Sequence, residues 1–561
     1  MVDPTNANTA LASAFAEELE RSGVIRAVVS PGSRSTPLAV ALWRQPGIEV
    51  TIALDERSGA FFALGAAQAT GSPVAILCTS GTAAANFHPA VAEADLSSVP
   101  LVVLTADRPP ELRDIGAGQT IDQIKLFGSA VRWFTEVGNH DADDAGLLHM
   151  RALACRAAAT AAGDPRPGPV HLNFPWREPL APSPDPDAVT ATSALAREGR
   201  REAPLTEVPA SRPAAANETV DRIAAALDAS ERPLIVAGRM RGTAHRLPLV
   251  RLARRLNAPV LAEPTSQLRY GPHDRANLID TYDRVAAGRE TGLAPDLVLR
   301  FGEMPTSKSL RLWLADIENL CQIVVDPHFG WYEPTRTAEL IVRAEPEELL
   351  HLLEDRIEPS GPDSSFLNNW QSAGHREREA LRTGDPDDGV TAGDVHIALA
   401  NSASDGELVY TASSMAIRDQ EAHLEGSDTD LEFLANRGAN GIDGLIASGF
   451  GAALATGKPT TIVTGDLGFQ HDVGSLALAS SLSTPVRIVV LQNEGGAIFS
   501  KLAQKDHMEQ GEFEALMTTP GGMSIESAAG LFGIDYRLVT EPGRIPPLDG
   551  GTSIIEVPVL P

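Results

Sequence analysis

Glycine, aspartate and asparagine residues follow two apolar segments within residues 464–499 (TGDLGFQHDVGSLALASSLSTPVRIVVLQNEGGAIF). One predicted strand ends at Gly465 and Asp466, a helix follows, and the next predicted strand ends at Asn493. Mg²⁺ prefers oxygen ligands in near-octahedral geometry and often combines a few protein groups with phosphate oxygens. We therefore predict a metal-bound diphosphate here, with side-chain oxygens from Asp466 and Asn493 and a main-chain oxygen from Gly495.

The glycines of this segment have a separate predicted role. Gly465, Gly468 and Gly495 let the main chain approach phosphate groups closely, because glycine has no side chain. The alternative is that both strand ends are ordinary turns, which glycine, aspartate and asparagine also favour. Together, with a predicted helix near 472–482 between them, the two halves resemble the diphosphate motif of thiamine diphosphate (ThDP) enzymes. That motif binds Mg²⁺, with Mn²⁺ as the alternative metal.

The resemblance implies a glutamate elsewhere in the chain. In ThDP enzymes a carboxyl group engages N1′ of the pyrimidine ring, and the cofactor then removes the proton from its own reactive carbon. Glu56 stands where this residue is expected, after the apolar segment 50–54 and before a helix of small and aromatic residues. The alternative is that Asp55 or Glu56 only caps that helix.

Residues 436–457 (NRGANGIDGLIASGFGAALATG) resemble the segment whose bulky apolar residue supports the bent cofactor in these enzymes. Ile442 is the candidate, and ordinary packing at a helix start is the alternative. Because Glu56 and Asp466 stand in separate predicted domains, the resemblance also implies that two chains share each active site. We expect a homodimer or a homotetramer with the active site at the dimer interface.

Motifs along most of the chain resemble one family in particular. They are PGSRSTPL (31–38), DERSGAFFALGAA (55–67), TSGTAAANFHPAVAEA (79–94), LTADRPPELRDIGAGQTIDQ (104–123) and NRGANGIDG (436–444). The family is the 2-succinyl-5-enolpyruvyl-6-hydroxy-3-cyclohexene-1-carboxylate synthase (MenD) family of menaquinone biosynthesis. The resemblance implies decarboxylation of 2-oxoglutarate on ThDP and 1,4-addition of the resulting succinyl carbanion equivalent to isochorismate.

Both substrates of that family are dianions, so their carboxylates need cations and charge-assisted hydrogen bonds. The resemblance implies that Ser414 and Arg418 bind the distal succinyl carboxylate. It also implies that isochorismate or neighbouring carboxylates contact four residues of the first domain, namely Ser33, Arg34, Arg108 and Gln119. For each arginine the alternative is a surface ion pair.

The remaining candidates lie beside these groups. The sequence lacks the adjacent histidine pair expected of pyruvate-type decarboxylases, so the cofactor must carry most proton transfers, with Gln119 placing water. Ile498 and Phe499 are expected to form an apolar wall beside the reacting carbons, and core packing is the alternative. Lys308 is the candidate cation of the middle domain. Ser309 follows it where the family is expected to have a second basic residue, which implies a weaker or rearranged contact.

Apolar segments separated by helices predict parallel sheets covered on both faces. We predict an α/β protein with three doubly wound parallel-sheet domains of the ThDP-dependent decarboxylase and carboligase type. The predicted parts are a pyrimidine-binding domain (1–182), a linker (183–215), a central α/β domain (216–355), a linker with a short helix (356–390) and a diphosphate-binding domain (391–561). The first and third domains are expected to share one architecture.

The composition limits the kinds of molecule that the protein is expected to bind. A net charge of −28 repels nucleic acid and anionic membrane surfaces. The three cysteines, Cys78, Cys155 and Cys321, form no CxxC pair, so neither a disulfide framework nor a zinc site is expected. No apolar run approaches the length of a membrane span and the N-terminus lacks a secretory pattern, so we expect a cytoplasmic enzyme without membrane insertion.

Two other functions stay open at this level. A ThDP carboligase or 2-oxo acid decarboxylase of the acetolactate synthase type would use its middle domain to hold FAD. A catalytically silent relative would act as a binding or regulatory subunit, although the presence of Glu56, Asp466 and Asn493 argues against it.

The segment VAGRMRG (236–242) carries no convincing dinucleotide fingerprint, so we expect the purified protein to contain no flavin. An absorption spectrum of the native protein, repeated after denaturation to release any bound chromophore, tests this. A flavin band would favour the acetolactate synthase type.

Overall fold

The computed structural model describes residues 2–163, 166–328, 330–359, 365–382, 389–548 and 550–560. Its strands form three sheets, and every paired strand runs parallel to its neighbour. The chain divides into two compact units: unit 1 contains Met1–Ser211, Asn436–Gly457 and Asp472–Ser483, and unit 2 contains Arg212–Ala435, Lys458–His471 and Thr484–Pro561. Among the described helices, none is both long enough and apolar enough to cross a membrane.

Strands and helices alternate along the chain. The strands are β1 (Arg26–Val29), β2 (Glu49–Ile52), β3 (Val74–Cys78), β4 (Leu101–Asp107), β5 (Trp133–Glu136), β6 (Val170–Pro175), β7 (Pro233–Ala237), β8 (Val260–Ala262), β9 (Leu297–Phe301), β10 (Cys321–Val325), β11 (Leu340–Val342), β12 (Leu408–Thr411), β13 (Glu432–Leu434), β14 (Thr460–Gly465), β15 (Val486–Gln492), β16 (Asp535–Leu538) and β17 (Thr552–Pro558). The helices are α1 (Ala7–Arg21), α2 (Thr36–Arg44), α3 (Glu56–Thr70), α4 (Thr82–Asn86), α5 (His88–Leu96), α6 (Asp144–Ala162), α7 (Ala194–Glu198), α8 (Asn217–Ala229), α9 (Arg246–Leu256), α10 (Tyr282–Gly288), α11 (Lys308–Asp316), α12 (Pro346–Glu354), α13 (Ser365–Arg382), α14 (Ala392–Ser402), α15 (Met415–His423), α16 (Leu445–Thr456), α17 (Asp466–His471), α18 (Gln504–His507), α19 (Gln510–Phe513) and α20 (Ile525–Phe532).

The first sheet lies in unit 1 and has the strand order β2-β1-β3-β4-β6-β5. Its central strands β3, β4 and β6 are buried along their whole length, as expected when helices cover both faces. On one face, Phe15 of α1 packs with Val29 and Leu104 in a continuous apolar core. On the other face, Gly59 of α3 lies against Val28.

Helices α3 and α16 of unit 1 pack so closely that their backbones touch. A Cβ atom added at Gly65 would lie 1.9 Å from the carbonyl oxygen of Ser448, and one added at Gly451 would lie 1.8 Å from that of Phe62. The hydroxyl of Ser448 also donates to the Phe61 carbonyl at 3.2 Å. The two helices are therefore in direct backbone contact; α3 begins at Glu56, and α16 begins three residues after Ile442.

The second and third sheets lie in unit 2, with strand orders β11-β10-β9-β7-β8 and β13-β12-β14-β15-β17-β16. Successive residues of β9 face different cores, because Leu297 and Leu299 belong to one apolar cluster and Val298 to another. The first and third sheets have the same strand order when their strands are numbered from the first in each. This agreement confirms the shared architecture that we expected, and the three doubly wound sheets confirm the predicted fold class.

Two local predictions need revision. The helix after β14 begins at Asp466 itself, and the range near 472–482 instead contains a 3₁₀ helix at Val473–Ser481. The helix predicted as short within 356–390 is α13, which has 18 residues and buries Trp370 completely. Residues 360–364 and 383–388 of that linker lie outside the described residues. The domain boundaries themselves stay predictions.

The contact between α3 and α16 makes glycine a requirement at position 65. Gly65→Ala should lower the free energy of unfolding by about 1–3 kcal/mol or more, because the added methyl group overlaps the Ser448 carbonyl. Gly530→Ala in α20 is the control. Its new methyl group would meet nothing within 4 Å, and it should stabilise the protein by about 0.5–1 kcal/mol. Urea unfolding followed by circular dichroism measures both, and equal midpoints would contradict this account.

Candidate functional site

Two arginines meet at the carboxyl ends of strands β1 and β4 in unit 1. Arg34 follows β1 and Arg108 follows β4, and burial together with the positive charge of Arg34 lowers the pKa of Arg108. The Arg108 guanidinium donates to the hydroxyl of Ser80, which follows β3, and to Oε1 of Gln119 at 3.4 Å. The Ser80 hydroxyl also donates to the Gln119 carbonyl at 2.9 Å, where Gln119 has a φ of 54°. Three predicted residues and the unpredicted Ser80 therefore form one cationic cluster.

The Arg34 guanidinium retains an N–H group that could donate a hydrogen bond to a ligand. Its Nη1 donates to the Trp176 carbonyl at 3.0 Å and lies 3.4 Å from Oε1 of Glu178. Its buried Nε donates to none of the described residues. Ser33 is exposed beside it, and its carbonyl accepts a hydrogen bond from the Thr36 hydroxyl at 2.8 Å. Two guanidinium groups this near each other suit the carboxylates of an anionic ligand.

A buried polar network lies beneath the cluster, and the sequence analysis did not single it out. Asn173 accepts from Gln123 at 2.9 Å and donates to Asp107 at 2.9 Å. Gln123 in turn accepts from the backbone N–H of Gly81 at 2.9 Å. Arg113 donates to Asp107 at 2.7 Å and to the Arg108 carbonyl at 3.2 Å. Burial raises the pKa of Asp107, although hydrogen bonds to its carboxylate oppose that rise. The network therefore holds the turns after β3 and β4 in place at the cost of burying a carboxylate.

Glu56 is the first residue of α3 and is half-buried. The helix cap is Asp55, whose side chain accepts from the Ser58 N–H at 3.1 Å, so capping does not require Glu56. Asn86 donates to Oε2 of Glu56 at 3.4 Å. Burial, with the negative charge of Glu56 added, raises the pKa of the Cys78 thiol. These contacts place the Glu56 carboxylate beside the end of β3.

Ile442 also belongs to unit 1, in the turn that precedes α16. It is half-buried, and the turn ends at Gly444, which has a φ of 67°. A Cβ atom at Gly444 would lie 1.9 Å from the ring of Phe61 in α3. The close packing of α3 and α16 therefore ties the Ile442 turn to the helix that begins with Glu56.

The predicted metal ligands come together in unit 2. Asp466 begins α17 at the end of β14, and its Oδ2 accepts from the Gly495 N–H at 2.8 Å. Burial raises the pKa of Asp466, with the charge of Glu494 adding to the effect and hydrogen bonds from Leu467 and Gly495 opposing it. Since β14 and β15 are neighbouring strands, their ends bring Asp466, Asn493 and Gly495 to one edge of the third sheet.

These residues fit a divalent cation with a bound diphosphate. The Oδ1 atom of Asn493 is buried and accepts no hydrogen bond from any described residue, which leaves an oxygen for a ligand. The Gly495 carbonyl accepts one hydrogen bond, from Ala497 at 2.9 Å, and so retains a lone pair. A Cβ atom at Gly465 would meet nothing within 4 Å. No three His, Cys, Asp or Glu side chains cluster as a metal site in the described ranges, and the proposed set contains only one carboxylate.

Glycine is needed at position 495 for steric reasons. Its φ is 130°, and a Cβ atom there would lie 2.4 Å from the Thr518 carbonyl oxygen. Gly468 is buried within α17, and no contact that involves it tests its predicted role.

The predicted succinyl-binding residues lie near one another in unit 2. Ser414 has a φ of 70° and precedes α15, and its carbonyl accepts from the exposed Arg418. Ile498 and Phe499 are half-buried in the 3₁₀ helix Ala497–Lys501. Burial raises the pKa of Asp419, against the positive charges of Lys501 and Arg418. The effect of the Lys501 charge on Asp419 indicates that α15 and that 3₁₀ helix lie near each other.

Lys308 stands apart from this group as the first residue of α11, beside the second sheet, and it is exposed. No hydrogen bond or ion pair joins it to another residue in the described part of the chain. Its contact with a substrate stays a prediction.

Two family models match the chain. Residues 9–126 match the thiamine pyrophosphate enzyme N-terminal TPP-binding domain, and residues 423–547 match the corresponding C-terminal TPP-binding domain. The first range includes Glu56 and the cationic cluster, and the second includes Ile442 and the Asp466 group.

Curated relatives match nearly the full length. A 2-succinyl-5-enolpyruvyl-6-hydroxy-3-cyclohexene-1-carboxylate synthase of Geobacillus thermodenitrificans is 42% identical over 561 residues, covering 99% of this chain and 94% of the relative. The synthase of Haloarcula marismortui is 40% identical over 554 residues, covering 96% and 91%. A solved chain described as a thiamin diphosphate-dependent enzyme from Mycobacterium smegmatis superposes with a TM-score of 0.72 at 20% identity, over 99% of this chain and 100% of that one. This last likeness shows the fold alone.

Because the Oδ1 atom of Asn493 has no partner among the described residues, a substitution there can distinguish an effect on ligand binding from an effect on stability. Asn493→Leu should leave the free energy of unfolding within about 1 kcal/mol, because it removes an acceptor to which no described residue donates. The same change should abolish the Mg²⁺-dependent part of ThDP binding measured by calorimetric titration. Asn173→Leu is the control, since its amide is fully bonded and its loss should cost about 2 kcal/mol or more. Unchanged Mg²⁺ dependence in Asn493→Leu would contradict the assigned ligand.

Proposed function

The chain belongs to the 2-succinyl-5-enolpyruvyl-6-hydroxy-3-cyclohexene-1-carboxylate synthase (MenD) family, and we propose that it catalyses that family's reaction in menaquinone biosynthesis. It is a ThDP-dependent transferase. In the proposed reaction 2-oxoglutarate loses CO₂, and the remaining four-carbon unit adds to isochorismate in a 1,4-addition. The proposal takes Mg²⁺ as the metal, with Mn²⁺ as the alternative.

The observation that supports this reaction best is the pair of arginines in the cationic cluster. Arg34 and Arg108 concentrate positive charge at one strand edge of a chain whose net charge is −28. An acceptor with two carboxylates, such as isochorismate, needs such a pair, whereas pyruvate carries only one carboxylate. In the proposal Ser33 and Gln119 complete the acceptor site, and Gln119 also places water.

Some of the proposed cofactor residues would bind ThDP and its metal, and one would control a proton on the pyrimidine ring. When bound, ThDP supplies the carbon nucleophile and the electron sink that decarboxylation needs. Asp466, Asn493 and the Gly495 carbonyl would hold the metal, and Gly465 and Gly468 would let the diphosphate approach the main chain. Glu56 would hold a proton at N1′ of the pyrimidine, and Ile442 would support the bent shape of the cofactor.

The donor substrate is assigned to residues of unit 2. Ser414 and Arg418 would bind the distal carboxylate of 2-oxoglutarate, and Ile498 and Phe499 would exclude water from the reacting carbons. Lys308 would add a further cation, with the weaker contact that Ser309 beside it implies.

We propose that two chains build each active site, as a homodimer or a pair of homodimers. Apolar side chains that flank Glu56 support this arrangement, since Leu54 is 85% exposed and Ile52 is 49% exposed. Exposed apolar groups beside a catalytic carboxylate are what a second copy would cover.

Purified protein with ThDP and Mg²⁺ should release CO₂ from 2-oxoglutarate and consume isochorismate, giving the succinylated cyclohexene by mass spectrometry. Glu56→Gln should lower turnover by about 10²- to 10⁴-fold while ThDP still binds, because the amide cannot supply the proton at N1′. Glu111→Gln, at an exposed ion pair with Arg177, is the control and should keep full activity.

Three outcomes would count against the proposal. CO₂ release from pyruvate alone would favour a carboligase or decarboxylase of the acetolactate synthase type. Full activity in Glu56→Gln would contradict the role of that carboxylate. Cofactor binding without turnover of any 2-oxo acid would indicate a regulatory subunit.

A further inference from the structure

Residues 436–444 form the turn that carries Ile442, here called the Ile442 turn. Two buried carboxylates from distant parts of the sequence bind the backbone on either side of Ile442. Both carboxylates, and every residue they contact, belong to unit 1.

Glu93 of α5 binds the beginning of the Ile442 turn. It is 3% exposed, its Oε1 accepts from the Gly438 N–H at 2.7 Å, and its Oε2 accepts from the Ala439 N–H at 2.7 Å. Ser97 donates to Oε1 at 2.7 Å. A Cβ atom at Gly438 would lie 2.7 Å from the Ser97 hydroxyl, so the turn lies directly on α5. Both carboxylate oxygens are therefore committed to backbone N–H groups of the turn.

Asp472 binds the backbone just after the turn. It is completely buried, and its Oδ2 accepts from the N–H groups of Ile446 at 2.8 Å and Ala447 at 3.1 Å, in the first turn of α16. Its Oδ1 accepts from the Ser475 hydroxyl at 2.6 Å, and that hydroxyl lies 2.9 Å from the hydroxyl of Ser58. Ser58 follows Glu56 by two positions in α3. Asp472 therefore links the start of α16 to the start of the helix that carries Glu56.

Apolar packing alone does not account for the burial of the Glu93 and Asp472 carboxylates. Burial of a carboxylate is unfavourable, and it raises the pKa of Asp472 to about 6 although three hydrogen bonds oppose that rise. Between the two carboxylates, Gly444 fits against Phe61 only because it has no side chain. The segment around Ile442 is thus held before, after and next to the residue itself.

We propose that Glu93 and Asp472 are positioning residues that hold the Ile442 turn in the shape that binds ThDP. The inference rests on the proposed function, since it requires Ile442 to contact the cofactor. Neither residue touches the reacting atoms. Each acts through backbone N–H groups, so its loss should weaken cofactor binding more than it slows the saturated enzyme.

The two sites respond differently to conservative substitution. Glu93→Gln replaces one acceptor oxygen by an NH₂ group that faces a backbone N–H, so it must break one of the two bonds to the turn. Asp472→Asn can keep Oδ1 on both N–H groups and turn its NH₂ towards the Ser475 oxygen, which can accept. Asp472→Ala loses all three bonds. A purely structural role predicts the same order for the free energy of unfolding, so the ThDP dissociation constants must be compared with those of a control variant.

The experiment measures the dissociation constant for ThDP in the presence of Mg²⁺ by calorimetric titration of the full-length protein. Glu93→Gln and Asp472→Ala should raise that constant by about 10- to 100-fold, the range typical when residues that orient a ligand shell are removed. Asp472→Asn should stay within about twofold of the wild type. At saturating ThDP, kcat should stay within about threefold of the wild type in every variant, because the reacting groups are intact.

Glu333→Gln is the matched control. Glu333 is 6% exposed and accepts from the N–H groups of Thr335 at 3.2 Å and Thr337 at 3.0 Å and from the Thr335 hydroxyl. Like Glu93, it accepts from backbone N–H groups through both carboxylate oxygens, and it lies in a part of the chain without a proposed ligand contact; unlike Glu93, it also lies 3.8 Å from the buried Arg300. Glu333→Gln should lose at least as much stability as Glu93→Gln, because it also weakens this ion pair, and it should keep the wild-type dissociation constant. Faster hydrogen exchange at the amides of residues 438 and 439 should appear only in Glu93→Gln.

A wild-type dissociation constant in both Glu93→Gln and Asp472→Ala would overturn the inference while leaving the proposed reaction intact. An equal rise in Glu333→Gln would overturn it as well, by showing general destabilisation. If Glu93→Gln does not fold, the dissociation constants of Asp472→Ala and Asp472→Asn decide, with Glu333→Gln as the control for general destabilisation. A wild-type protein that binds ThDP but forms no product would instead refute the proposed reaction and leave the binding comparison valid.

Discussion

The backbone contact between helices α3 and α16 is the constraint on which the site in unit 1 depends. Gly65 and Gly451 let the two helices approach until a main-chain carbonyl of each fills the space where the other would carry a side chain. Helices normally pack 8–10 Å apart, roughly the distance that side chains require, so contact of this kind fixes the pair in one arrangement. Glu56 begins one helix and the Ile442 turn leads into the other. Their relative position is consequently a property of backbone packing and not of surface loops.

A second constraint comes from strand direction. Because all described strand pairs are parallel, the loops that follow the strands collect at the same edge of each sheet. In the first sheet this places Arg34, Ser80 and Arg108 together, and in the third it places Asp466 beside Gly495. The resulting repulsion between two guanidinium groups is opposed by carboxylates around and beneath them. A chain with a large negative net charge thus builds a local cationic site.

Several polar groups are buried at a cost in free energy that folding alone does not explain. Asn493 buries an acceptor without a described donor, and burial raises the pKa of both Asp466 and Asp472. Native proteins leave few buried polar groups unsatisfied, and the exceptions concentrate where a ligand completes the bonding. The oxygen-rich edge of the third sheet fits this pattern, whereas the carboxylates around the Ile442 turn have their hydrogen bonds satisfied by the chain itself.

The sequence by itself determined the α/β class and the motifs at the strand ends, because both depend on local patterns. Apolar runs marked most buried strands, and Glu56, Asp466 and Asn493 were identified from their places after such runs. Strand β6 has no such run, because its central residues His171 and Asn173 are polar although completely buried. Helix α13 was underestimated because its composition resembles a linker.

Only the tertiary structure decided which residues support the site. Glu93 meets Gly438, and Asn173 meets Gln123, across long stretches of sequence, and nothing local marks either partner. The same holds for Asp472, which the sequence analysis placed within a helix and which instead binds the N-terminus of α16. Hydrophobic periodicity and turn chemistry are encoded over a few residues, whereas the partner of a buried polar group is known only once distant segments have packed together.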